Sequence, residues 1–181
     1  MVCPYSIPSS TAPRAPDAGA PGLITLFVPR TRADLEAARA LMREYAASLD
    51  IDLSYQHFES ELASLPGDYA EPHGTLLVAR LDEVPVGCCA LRPMAPGKTG
   101  GDAEMKRLHV REACRGQGIG RRLALAIIAS ARERGYTRLL LDSLDTMQAA
   151  QALYASLGFR PVSPYREPAH PRARHFLLEL R

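Results

Sequence analysis

Apolar residues between positions 35 and 49 recur every three or four residues, which is the spacing of one face of an α-helix. Thr31 precedes this pattern as a candidate N-cap, and Asp34 forms a partial capping box with it. A second, shorter helix is predicted over residues 55–65, and Pro66 and Gly67 end it. The first apolar face consists of Leu35, Ala38, Leu41, Met42, Tyr45 and Leu49.

Short apolar or alternating runs predict strands along the rest of the chain. They cover residues 23–28, 76–81, 84–91, 104–110, 137–142 and 174–180, with a further short strand before the last one. Two more helices are predicted over residues 121–134 and 147–157. The order β-α-α-β-β-β-α-β-α-(β)-β predicts a mixed α/β sandwich.

A glycine-rich turn, Arg115-Gly116-Gln117-Gly118-Ile119-Gly120, lies between a predicted strand and a predicted helix. The first amides of a helix have no intrahelical partner and lie at the positive end of its dipole, so this turn is predicted to bind an anion. The arginines at 115, 121 and 122 add positive charge, which favours a phosphate or pyrophosphate. The turn lacks the Gly-Lys-Ser/Thr ending of a P-loop and the glycine spacing of a Rossmann turn.

The pattern Arg-x-x-Gly-x-Gly resembles motif A of the GCN5-related N-acetyltransferase (GNAT) superfamily, which holds the pyrophosphate of acetyl-coenzyme A. Residues 152–159, Ala-Leu-Tyr-Ala-Ser-Leu-Gly-Phe, resemble motif B of the same superfamily. Residues 104–110 resemble the Glu-Met-Lys-Arg-Leu-Tyr-Val strand of a bacterial subgroup, with His109 where Tyr is usual. The resemblance implies a mixed, mostly antiparallel sheet of six to seven strands, flanked by four or so helices, with splayed central strands.

The resemblance also implies which residues bind acetyl-CoA as co-substrate. Leu108, His109 and Val110 would offer an unpaired strand edge to the pantetheine amides. Tyr154, in motif B, would lie near the thioester sulfur. The pyrophosphate would bind at the turn, through Arg115, Gly116, Gln117, Gly118, Ile119, Gly120 and Arg121.

The implied reaction is direct attack of an amine on the acetyl thioester, with both substrates bound together and no covalent enzyme intermediate. Tyr154 is interpreted as the acid that protonates the departing thiolate, and packing alone is the alternative. Glu104 is the first candidate base, because it lies 11 residues before Arg115, as the glutamate base of histone-acetylating members does. The alternative is that Glu104 forms an ion pair with Lys106 or Arg107 on the surface of the strand. His109 is the second candidate, since an unperturbed pKa of about 6.5 suits proton transfer near neutral pH.

The acceptor pocket is predicted to come from the first two helices and the loop before the last strand. Tyr55, Phe58 and Tyr165 are candidate substrate-binding residues there. Arg107 would suit an acceptor that carries a carboxylate, whereas Asp142 would suit a polyamine or aminoglycoside, and the sequence leaves both open. A primary amine of a small molecule is the leading acceptor class. Acetylation of a protein lysine or N-terminus, and a non-catalytic acyl-CoA sensor, are the alternatives.

Composition narrows the classes of partner. The 181 residues carry a formal net charge of +2 with acids and bases interspersed, which gives no reason to expect nucleic acid or a membrane as partner. Residues 1–22, rich in Pro and Ala, are expected to be a disordered tail, and residues 23–181 form the predicted N-acetyltransferase domain.

The four cysteines show no spacing typical of a zinc site, and no metal is expected. Cys88 and Cys89 are predicted to be reduced, buried thiols on opposite faces of a strand. The sequence shows no secretory signal pattern, so a cytoplasmic location is expected. Dimers are common among members of the superfamily, and the resemblance leaves a homodimer open.

Overall fold

The computed structural model describes residues 22–49, 51, 57–95, 101–166 and 169–180. The predicted tail, apart from Gly22, and the candidate Tyr55 lie outside these residues. Within them the chain forms seven strands and four α-helices. Their bounds are β1 Ile24–Phe27, α1 Arg32–Ala47, α2 Phe58–Ser64, β2 Thr75–Leu81, β3 Val84–Pro93, β4 Asp102–Val110, α3 Ile119–Glu133, β5 Arg138–Leu144, α4 Gln148–Ser156, β6 Arg160–Val162 and β7 Ala173–Glu179.

The strands form one sheet in the order β1-β2-β3-β4-β5-β7-β6. Strands β4 and β5 are parallel, and every other neighbouring pair is antiparallel. The mixed, mostly antiparallel fold predicted from the sequence is therefore confirmed. No helix in the described part of the chain is long and apolar enough to cross a membrane.

The two central strands separate after a short stretch of pairing. β4 and β5 are in register over only three pairs, the last of which joins Glu104 to Leu140. Both strands continue beyond this point, β4 to Val110 and β5 to Leu144. The register of β4 against β3 also shifts near Arg107, which has a positive φ of 58°. This bulge bends β4 locally, and the sheet opens into a V-shaped cleft between β4 and β5.

Each face of the sheet carries its own hydrophobic core. One core packs α3 and α4 against the sheet, with Leu123 and Ile127 fully buried. The other packs α1 and α2 on the opposite face, with Leu41 and Leu62 at its centre. Because successive strand residues point to opposite faces, Cys89 lies in the first core and Cys88 in the second, as predicted.

The helix boundaries follow local signals. Thr31 and Asp34 form a complete capping box, in which the Thr31 Oγ1 accepts from the Asp34 amide at 3.1 Å. Helix α3 starts at Ile119 rather than at Arg121, because Gly118 itself takes the left-handed N-cap position with φ 78°. Helix α2 begins at Phe58 instead of residue 55, after His57 with φ 55°.

Candidate active site

The glycine-rich turn connects β4 to α3 at the open end of the cleft. Gly116 and Gly118 both have φ 78°, a conformation that other residues adopt only with strain. The first hydrogen bond at the start of α3 runs from the amide of Arg122 to the carbonyl of Gly118 at 3.0 Å. The amides just before it have no acceptor within the helix, so the turn offers donors at the positive end of α3.

A groove of about 750 Å³ extends from this turn along β4. All the predicted co-substrate residues line it except Gln117 and Tyr154. A Cβ built on Gly118 would meet no protein atom within 4 Å, so the side chain that glycine lacks would project into open space. Other walls of the groove come from Tyr45, Ser48, Leu49, Leu144, Met147, Ala150 and Leu153.

A small inner cavity of about 30 Å³ continues the groove into the cleft. The two spaces share five lining residues, Tyr45, Leu49, Leu108, Leu144 and Met147. Tyr154, Ser143 and the ion pair between Lys106 and Asp142 line only the inner cavity. The motif A turn, the edge of β4 and the motif B tyrosine thus lie along one path.

Tyr154 projects from α4 into the base of the cleft. Its ring packs edge-on against Phe159 at 5.8 Å and lies tilted against Phe176 at 6.1 Å between centroids. Burial raises the pKa of Tyr154 well above its usual value, so the hydroxyl keeps its proton at neutral pH. The geometry agrees with both sequence interpretations, a packed ring and a protonated hydroxyl facing the cavity.

Glu104 lies in a different setting from the one that a proton-accepting base needs. Its carboxylate is fully buried and accepts hydrogen bonds from Arg92 at 2.9 Å, Arg166 at 2.6 Å and the Tyr165 hydroxyl at 2.9 Å. Lys106 Nζ lies 3.8 Å from Oε1 of the Glu104 carboxylate. The alternative predicted from the sequence, an ion pair of Glu104 on the surface, is wrong in its location, because Glu104 is paired but fully buried. In this arrangement Glu104 anchors the loop before β7 to the sheet.

His109 lies on the face of β4 that packs against α1. It is 7% exposed and lines the groove, and its Nε2 lies 3.8 Å from a carboxylate oxygen of Glu44. Burial lowers the pKa of His109 below 6.5, and attraction by Glu44 opposes this only in part. The imidazole is therefore neutral at pH 7 and able to accept a proton. Glu44 itself is held by Arg111 through hydrogen bonds of 2.7 and 2.9 Å.

Arg107 does not present its charge to an acceptor in this structure. Its guanidinium donates two hydrogen bonds to Glu61, at 2.8 and 2.6 Å, and lies 5.0 Å from the ring centre of Phe58. The predicted substrate residues Arg107 and Phe58 therefore pack together beneath α2. Burial by itself would lower the pKa of Arg107, but the hydrogen bonds to Glu61 raise it. The sequence did not identify Glu61 as a partner of Arg107, because the two residues are 46 positions apart in the chain.

Asp142 and Tyr165 complete the predicted acceptor residues. Burial alone would raise the pKa of Asp142, but attraction from Lys106, 3.1 Å away, outweighs it and lowers the pKa. Tyr165 contacts the ring of His175 at 5.0 Å and donates to Glu104. Within the described residues, no cluster of His, Cys, Asp or Glu is arranged to hold a metal ion.

Comparison with known proteins places the chain in a family. A family model described as the acetyltransferase (GNAT) family matches residues 35–159. An uncharacterized N-acetyltransferase of Schizosaccharomyces pombe is 35% identical over 161 residues, which cover 88% of this chain and 97% of that protein. This protein therefore belongs to the GNAT family and is an acyltransferase.

Solved structures show the same fold. An acetyltransferase of Streptococcus agalactiae has a TM-score of 0.71 at 20% identity, covering 86% of this chain and 98% of the other. An acetyltransferase of Salmonella typhimurium, solved with its cofactor acetyl-CoA, has a TM-score of 0.64 at 18% identity, covering 87% and 94%.

Proposed function

We propose that this protein transfers the acetyl group of acetyl-CoA to a primary amine of a small molecule, by direct attack while both substrates are bound. The observation that carries this proposal is the continuous path from the anion-binding turn, along the unpaired edge of β4, into the inner cavity of the cleft. Acetyl-CoA has the same sequence of parts: a charged pyrophosphate, a pantetheine arm with amides, and a small thioester.

The chain's own groups fit each part of the co-substrate. The first-turn amides of α3 and the guanidinium of Arg121, which lines the groove, suit the pyrophosphate. Beyond Glu104, the β5-facing edge of β4 has no strand partner among the described residues, so its backbone groups can pair with the amides of pantetheine. The inner cavity suits the thioester, because it is the narrow end of the groove.

In the proposed reaction the amine nitrogen bonds to the carbonyl carbon, the carbon–sulfur bond breaks, and its electron pair leaves with the sulfur. The amine attacks as the free base, His109 receives the one proton that its nitrogen loses as the amide forms, and Glu44 stabilises the resulting imidazolium. Tyr154 gives the proton that the thiolate needs. Glu104 is assigned the role of loop anchor instead of base, since its oxygens are taken by two arginines and a tyrosine.

The acceptor side favours a small amine over a protein. An enzyme that acetylates a lysine side chain on a protein would be expected to have an open, acidic acceptor groove. Here Glu61 and Asp142 each pair with a buried cation and Glu104 pairs with the half-buried Arg92, so their charges are neutralised locally. The loop bearing Tyr165, anchored on Glu104, covers the same face of the sheet.

The proposal is tested by the release of free CoA from acetyl-CoA, followed with a thiol reagent across amino acids, polyamines, aminoglycosides and lysine peptides. A control without acceptor corrects for the four thiols of the protein, of which Cys114 is partly exposed, Cys88 and Cys89 are buried, and Cys3 lies outside the described residues. Turnover with a small amine supports the proposal. Turnover with the lysine peptides alone would contradict a small-molecule acceptor and would favour protein acetylation. Tight acetyl-CoA binding with no turnover for any acceptor would favour the sensor alternative and contradict the proposal.

A further inference from the structure

The hydroxyl of Ser143 is a buried polar group that the reaction described above does not use. Ser143 lies on β5, three residues beyond Leu140, the last residue of β5 that pairs with β4. It is 5% exposed, and its Oγ has no hydrogen-bond partner among the described residues. A buried hydroxyl without a partner is unfavourable, so this position is expected to gain its partner from outside the chain.

The location of Ser143 narrows the identity of that partner. Ser143 lines the inner cavity, which is continuous with the groove and opposite the edge of β4. Along β5, Leu139 and Leu141 belong to the core that includes Tyr154, and the alternation of a strand places Ser143 on their side. Asp142 points to the other face, where it pairs with Lys106. Ser143 and Tyr154 therefore approach the cavity from the same side.

An attacking amine would enter from the opposite side, where His109 faces α1. The group that leaves the carbonyl carbon, the sulfur, would then face Ser143 and Tyr154. We propose that the Ser143 hydroxyl donates a hydrogen bond to the sulfur of the acyl-CoA and stabilises the thiolate that forms when the carbon–sulfur bond breaks. This inference rests on the proposed function. Ser143 keeps its own proton, and Tyr154 supplies the proton that the sulfur finally takes.

A thioester sulfur is a weak hydrogen-bond acceptor, whereas a thiolate is a strong one. The contact is therefore stronger in the transition state than in the bound substrate, and its loss lowers kcat more than the affinity for acetyl-CoA. For Ser143→Ala we expect a kcat about tenfold lower and an acetyl-CoA Kd within about twofold of the wild type. Ser143→Thr, which keeps a hydroxyl, should recover part of the lost rate.

Two further measurements distinguish this role from a structural one. Because the hydroxyl has no partner within the described part of the chain, Ser143→Ala should leave the urea midpoint of unfolding unchanged or higher. Ser130→Ala is the control, because it removes a serine hydroxyl that does have a partner in the protein and that lies away from the cavity. The Ser130 hydroxyl, on α3, accepts a hydrogen bond from Arg134 at 2.7 Å. A lower midpoint for Ser143→Ala with an unchanged kcat would overturn the proposal, and so would equal losses in kcat and in acetyl-CoA affinity.

The pKa of enzyme-bound CoA gives a readout that needs no acceptor. Thiolate absorbance in the ultraviolet, as the difference between the CoA complex and the free protein, reports the pKa of the bound thiol. Ser143→Ala should raise this pKa by about one unit, the equivalent of the tenfold change in rate. An unchanged value would overturn the proposal even if wild-type turnover is never found. Wild-type protein that binds CoA and shows this shift, yet acetylates no amine, would contradict the proposed function alone.

Discussion

The pair formed by Arg107 and Glu61 gives the sharpest stability prediction, because both side chains are withdrawn from water. The Arg107 side chain is 2% exposed and that of Glu61 is 13% exposed. The Tyr69 hydroxyl also donates to Glu61, at 2.7 Å. Glu61→Gln removes the negative charge but keeps a similar shape, so it leaves the Arg107 guanidinium buried without a counter-charge.

The expected cost follows from the geometry. Two unit charges about 4 Å apart attract by about 4 kcal/mol at an effective dielectric constant near 20. The amide oxygen of Gln still accepts one hydrogen bond, worth about 1 kcal/mol. We therefore expect Glu61→Gln to lower the free energy of unfolding by about 3 kcal/mol, near the lower end of the values seen when one partner of a buried pair is removed. With a urea slope of about 2 kcal/mol/M, the midpoint would fall by about 1.5 M.

Urea unfolding measures this change, and the chain offers a matched control. Arg160 and Glu179 form a surface pair at 3.3 Å whose side chains are 61% and 56% exposed. Glu179→Gln is expected to change the free energy of unfolding by less than about 1 kcal/mol. If the two variants lowered the free energy of unfolding by equal, small amounts, the argument that burial makes the Glu61 pair important for stability would be refuted.

The pH dependence supplies a second check with a definite sign. Burial alone would raise the pKa of Glu61, but its hydrogen bonds with Arg107 lower it below 4.5 in the folded protein. The stabilisation is therefore complete above the unfolded pKa and is lost as the pH falls through the folded value. The difference between wild type and Glu61→Gln should be full at pH 7 and shrink below pH 4.5. A difference that stays constant into acid would contradict a charge-based origin.

The remaining predictions concern the site and one helix cap. Gly118→Val should lower acetyl-CoA affinity at least tenfold, measured by calorimetry. Gly135→Val is its control, because Gly135 has a similar φ of 76° at the other end of α3 and carries the same backbone strain without touching the groove. His109→Gln should abolish the acidic limb of the kcat/KM–pH profile, which falls below pH 6.5 because protonation removes the base; an unchanged limb would exclude His109. Tyr154→Phe should lower kcat by about 100-fold or more, the size of contribution that a general acid makes, while the urea midpoint stays close to the wild-type value. Thr31→Ala should cost about 1 kcal/mol in urea unfolding, and no loss would mean that the capping box is not stabilising.

Part of the site could be read directly from the sequence, because its signals are local. The glycine-rich turn lies between β4 and α3, where the sequence predicted a turn between a strand and a helix, and Gly116 and Gly118 both adopt a positive φ there. The spacing of apolar side chains correctly predicted the order of the strands and helices. Tyr154, which the resemblance to motif B singled out, lines the inner cavity of the cleft. These features depend on residues a few positions apart, whose geometry the backbone fixes within one element.

The roles of the charged residues could not be read in the same way. The partners of Glu104 include Arg166, 62 residues further along the chain, and Arg107 and Glu61 are 46 residues apart. Alternation shows which face of a strand a side chain occupies, but it does not show which loop or helix covers that face. Glu104 therefore looked like a base and Arg107 like a carboxylate ligand until the fold supplied their partners.

The sequence by itself determined the elements, their order, the glycine-rich turn and the family resemblance, since each follows from spacing within a short segment. Only the tertiary structure decided which charges are neutralised, which imidazole lies beside a carboxylate, and which buried hydroxyl finds no partner in the residues that the structure describes. The physical reason is that burial and pairing depend on distances between elements far apart in the chain. Ser143 shows this clearly, because an ordinary strand serine becomes notable only when β4 turns away from it.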